Sequence, residues 1–85
     1  MTKEKLEKYV KICERAESLG FEGERHTLMM DIESADLAFN LRLDDWLNAD
    51  DFNFMHDISG IRHNIDRSEF PATNFNFFLP RFAGK

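Results

Sequence analysis

The side chains with the greatest scope for chemistry are three histidines, His26, His56 and His63, one thiol, Cys13, and the carboxylate of Asp57 beside His56. His56 and His63 stand seven positions apart, so on one helix about 10.5 Å separates them, too far to hold one ion at roughly 2.1 Å each. A His-Asp pair such as His56-Asp57 supports metal-dependent phosphate hydrolysis only with further His and Asp ligands from other elements, and His26 alone does not supply them. Asp51-Phe52-Asn53-Phe54-Met55-His56 begins like a calcium loop, but His56 stands where the loop requires Gly and no Glu closes it. Cys13 lies among apolar positions, which suits a buried thiol acting as a small hydrophobe. There is no Gly-x-Ser-x-Gly elbow and no phosphate-binding loop. The chain therefore reads as a non-enzyme that needs neither metal nor cofactor and works by binding.

The elements that must carry these residues follow from apolar spacing. Over residues 2–19, Leu6, Tyr9, Val10, Cys13, Ala16 and Leu19 recur at steps of three and four. Thr2 can cap this helix, and Gly20 followed by Phe21 forms a left-handed stop with a hydrophobic contact after it. Leu28, Ile32, Ala35 and Phe39 mark a second helix over about 24–40, with Met29, Met30, Leu37 and Ala38 widening its apolar arc. That breadth predicts a central helix covered from more than one side. Asp44 or Asp45 can cap a short helix over 45–49 that carries Trp46, expected half exposed at a rim. Asp50 or Asp51 can cap a last helix over 52–66, where Phe54, Ile58, Ile61 and Ile65 form the stripe. Beyond Ser68 the prolines Pro71 and Pro80 exclude a continuous helix, and a Phe-rich extended arm is expected over 68–85. The fold class is mainly α: one domain over 1–85, a small bundle of three longer helices and one short helix with an extended aromatic C-terminal arm.

Two surfaces are left for function. The first is a polar stripe on the last helix, Asn53, His56, Asp57, Gly60, His63 and Asn64, where Gly60 lets another backbone come close and a partner helix could dock. The competing use is internal: His56 or Asp57 tying down the aromatic arm. The second surface is acidic. Residues 22–57 hold ten acids and two bases, a regional charge of -8 within a chain whose net charge is -5. Asp31, Glu33, Asp36, Asp44, Asp45, Asp50 and Asp51 are its members. They either form a surface that complements a basic partner or mimics nucleic acid, or they serve as caps and solubilising charge.

Charge and composition exclude several classes. An acidic chain lacks the clustered Lys and Arg that phosphate backbones require, so direct nucleic-acid binding is not expected, and no helix shows a basic recognition face. No apolar run approaches the roughly 18 residues of a membrane span, and the Met-Thr-Lys-Glu-Lys start lacks a secretion signal. One cysteine permits no intrachain disulfide and fits a reducing cytosol. A homodimer through the Trp46 region or the arm would add buried area to so small a domain.

The run Asn48-Ala49-Asp50-Asp51-Phe52-Asn53-Phe54-Met55-His56-Asp57-Ile58-Ser59-Gly60-Ile61, with the ending Phe78-Leu79-Pro80-Arg81-Phe82-Ala83, resembles small uncharacterised proteins of bacteriophages and other bacterial mobile elements. The resemblance covers about half the chain. It implies a bacterial or phage origin and a shared helical fold, and transfers no catalytic residue; together with the reducing cytosol that the single cysteine fits, the expected setting is the cytoplasm of a bacterial host cell. Two functions follow as expectations: an accessory protein of a mobile element that binds another protein, or an inhibitor of a nucleic-acid enzyme, of anti-defence or anti-CRISPR type, acting through the acidic surface.

Overall fold

A computed structural model describes residues 2–68. Helix α1, Lys3–Ser18, starts where the Thr2 hydroxyl accepts a hydrogen bond from the Lys5 amide at 3.1 Å. It stops at Leu19 in a Schellman arrangement, in which the Gly20 amide donates to the Glu17 carbonyl and the Phe21 amide to the Ala16 carbonyl. Gly20 has φ +106°, the left-handed conformation that only glycine takes without steric cost. Its apolar stripe buries Tyr9, Ile12, Cys13 and Ala16. Helix α2, Arg25–Phe39, buries Leu28, Ile32 and Ala35 and ends on Asn40, at φ 53°.

Helix α3, Leu43–Asn48, is short, and its N-cap is Arg42, without a side-chain cap. The expectation that Asp44 or Asp45 caps it is therefore corrected. Both carboxylates fall inside its first turn, where they still favour the positive end of the helix dipole. Helix α4, Asp51–Asp66, is capped as expected by Asp50, which accepts from the Asn53 amide at 2.9 Å.

In the resulting four-helix packing α1 touches all three other helices, and α2 also packs on α4. Trp46 of α3 and Phe54 of α4 meet edge to face, with ring centroids 6.2 Å apart at 80°, among Tyr9, Ile12, Ile32 and Ile58. Trp46 is 0% exposed, not a half-exposed rim residue, and so offers no ring to a second subunit. Residue type explains the reversal: a single indole is the largest apolar side chain available, and a small domain must enclose it to offset chain entropy. Helix α2 is flanked by α1 and α4 as its composition predicts, but its apolar arc is wider than its neighbours cover, leaving Met30 and Leu37 53% and 79% exposed. No helix among the described residues is long and apolar enough to cross a membrane. The arm expected over 68–85 lies, beyond Ser68, outside the described residues.

Candidate functional site

The outward face of α4 is the candidate site. It forms a shallow, mostly apolar groove lined by Phe52, Met55, His56, Ser59, Gly60, His63 and Asn64. The structure thus brings together four of the six residues expected there: His56, Gly60, His63 and Asn64. Phe52, Met55 and Ser59 complete the groove and were not anticipated, although Phe52, Met55 and Ser59 recur at steps of three and four. Phe52 is 77% exposed, and its ring lies 6.4 Å from that of His56 in a tilted arrangement. Gly60 lies midway along this face. Among the described residues a Cβ placed there would meet only the Asn64 side-chain nitrogen, at 3.5 Å, so no contact among them requires glycine.

Asn53 sits at the edge of this face, its side-chain amide donating to Asp50 at 2.8 Å and so reinforcing the cap. Asp57 is corrected outright: it is 0% exposed and points into the core. The reason is positional. Asp57 follows Phe54 by three and precedes Ile61 by four, which puts it on the buried stripe. Neither carboxylate oxygen closes a hydrogen bond of ordinary geometry among the described residues. Burial pushes its carboxyl up to about 7, and the Trp46 side chain, which faces it as a donor outside strict hydrogen-bond geometry, opposes that only partly.

The acidic residues also part company. Asp31 and Asp36, expected on the surface, are 7% and 3% exposed. Asp31 receives Arg62 of α4, which in turn reaches Asp66 one turn on. Asp36 accepts from the Tyr9 hydroxyl at 2.6 Å and the Leu41 amide at 3.1 Å, and Lys5 pairs with it at 3.0 Å. These are joints between helices, since each acid stands at a core-facing step of α2 and is tolerated there by a specific donor. Burial and the Asp36 carboxylate together push the Tyr9 phenol well above its usual range. Of the others, Asp44 pairs with Lys8, Asp45 with Arg42 and Asp51 with Arg15, Asp50 is a cap, and Glu33 is half-buried. Cys13 is enclosed, and burial raises its thiol to about 11, so it stays protonated at neutral pH.

The most connected side chain among the described residues carries no signal in the sequence. Arg15 of α1 donates to the carbonyls of Trp46, Leu47 and Ala49 at 3.1, 3.1 and 2.6 Å and to Asp51 at 2.9 Å. Its guanidinium also lies 4.4 Å from the centre of the Phe54 ring. One cation thereby closes the C-terminal end of α3 and joins it to the start of α4. Among the described residues no three His, Cys, Asp or Glu side chains converge as metal ligands would.

These features define a small all-α domain with one apolar groove on its last helix. A model of a family of unknown function (DUF6874) matches residues 4–84, and the chain belongs to that family. No curated protein and no solved structure matches it significantly.

Proposed function

We propose that this protein is a binding module whose α4 groove receives an apolar segment, such as a helix, of another protein. The observation that supports this reading is the pairing of an exposed aromatic, Phe52, with a mid-helix glycine that packing among the described residues does not need. Glycine inside a helix costs about 1 kcal/mol relative to alanine. At a position with room for a Cβ, that cost has no return among the described residues; it has one where a second backbone must approach closely. An aromatic anchor beside a low floor, edged by His56, His63 and Asn64, is the usual make-up of a protein-binding patch.

The mobile-element setting rests on the resemblance of residues 48–61 and 78–83. The alternative, an inhibitor that imitates nucleic acid, draws less support from the geometry: Asp31 and Asp36 are enclosed and Asp44, Asp45 and Asp51 are held in ion pairs, so the carboxylates do not form an open array.

The test is affinity capture from a bacterial lysate at low and high salt, comparing the native chain with Phe52→Ala and Gly60→Leu variants whose helical content is checked first. A defined protein retained by the native chain at both salts and lost with either variant supports the groove. Retention unchanged by both substitutions removes it, and a nucleic-acid enzyme released only by high salt returns attention to the acidic residues.

A further inference from the structure

Among the described residues the outer face of α1 is a second surface that no other element covers, distinct from the α4 groove. Lys3, Leu6, Glu7, Val10, Lys11 and Glu14 line a shallow apolar depression there. Leu6 is 43% exposed, whereas the core-facing side of the same helix is closed. The charges of α1 divide accordingly. Lys5, Lys8 and Arg15 are each taken by an acid of another element. Among the described residues, Lys3, Glu7, Lys11 and Glu14 make no ion pair.

The order of these residues has a symmetry that identifies an occupant. If two copies of α1 lie antiparallel, centred between Lys8 and Tyr9, Lys3 falls opposite Glu14 of the other copy, Glu7 opposite Lys11, and Leu6 opposite Val10. Each pairing is met twice, and each is within about one residue, or 1.5 Å of rise, of the same centre. The sides also agree. On the helix wheel Leu6 and Val10 flank one edge of the face, Glu7 and Lys11 the other, and Lys3 and Glu14 the middle. A twofold axis perpendicular to the plane of the two helices keeps each edge against its own counterpart. A parallel arrangement would instead set Lys3 on Lys3 and Glu14 on Glu14 in the middle of the face, which like charge opposes, and would turn the Glu7–Lys11 edge of each copy toward the apolar Leu6–Val10 edge of the other.

We infer that a second copy of this chain docks on the α1 face, forming an antiparallel, twofold-symmetric dimer with Leu6 and Val10 packed along one edge, Lys3–Glu14 pairs in the middle and Glu7–Lys11 pairs along the other edge. The contact is one helix deep, so the dimer is weak and depends on concentration.

Sedimentation equilibrium of the full chain between about 10 µM and 1 mM reads it directly. The native chain is expected to pass from monomer to dimer in that range. The variants Lys3→Glu/Lys11→Glu and Glu7→Lys/Glu14→Lys each place one sign of charge on the whole face. Each alone should shift the midpoint by roughly tenfold or more toward monomer, and mixing the two should restore a dimer that contains one of each. Restoration on mixing separates the pairing from any general effect of net charge or of folding. A native chain that stays monomeric throughout overturns the proposal. So does a dimer indifferent to the charge reversals, and if that dimer is lost with Phe52→Ala the interface is the α4 groove instead.

Discussion

Replacing Asp57 by asparagine removes the charge that the core cannot accommodate while keeping nearly the same shape. In the folded chain the carboxyl titrates near 7, against 3.8 when unburied, so between those values the folded state holds a proton that the unfolded state has released. Stability contributed by this group is therefore complete below about pH 4 and is lost as pH rises through 7. At 1.36 kcal/mol per pH unit, the loss relative to acid conditions is about 2 kcal/mol at pH 5 and about 4 kcal/mol at pH 8. Asparagine does not titrate, so the stability of Asp57→Asn minus that of the native chain should grow by roughly 2–3 kcal/mol from pH 5 to pH 8. Urea unfolding at both values, followed by the fluorescence of the single, fully enclosed Trp46, measures it. Other groups titrate in both proteins and cancel in the difference. A difference that is the same at pH 5 and pH 8 refutes the reasoning, because Asp57 would then be ionised throughout and neutralised by a donor such as the Trp46 indole.

Arg15→Lys keeps the charge but replaces the planar fork that reaches three carbonyls, so the fold should lose about 2 kcal/mol in urea unfolding, with the change concentrated in α3 and the start of α4. Tyr9→Phe deletes the donor to buried Asp36 and should cost about 1–2 kcal/mol, and a second substitution, Asp36→Asn, should then add less than it does alone. Gly60→Ala, which among the described residues meets only the Asn64 side chain, should raise the stability of the isolated chain by about 1 kcal/mol by thermal unfolding, and a fall instead would show that the glycine is needed inside the domain.

Much of the fold is legible in residue order. The four helices lie within a few residues of where apolar spacing puts them, and Thr2, Gly20 and Asp50 act as their types predict, because caps and stops depend on the nearest few residues. The errors share a cause. Asp31, Asp36 and Asp57 were assigned to surfaces by type, yet each stands three or four positions from core residues of its own helix, and spacing alone would have turned all three inward. What makes an inward acid tolerable is a donor far along the chain, Arg62 for Asp31 and Tyr9 with Lys5 for Asp36, and one sequence does not announce such pairs. Arg15 was hidden for the same reason, since its partners are main-chain carbonyls that carry no residue signature. At the candidate site, helical spacing places Gly60, His56, His63 and Asn64 on one face, and they line one groove. Phe52 was missed because a phenylalanine at a helix start is ordinarily spent on the core.

The Arg15 clamp also bears on how this chain opens. A six-residue helix is too short to persist alone, and its free carbonyls would normally exchange freely with water. Here those carbonyls are held from α1, a partner more than thirty positions away. Fraying of α3 therefore requires α1 to let go, and the main-chain amides of residues 45 and 46, which close the turn from Arg42, should exchange with solvent deuterium only when the whole domain unfolds. The segment least able to hold itself together would then be among the slowest to exchange.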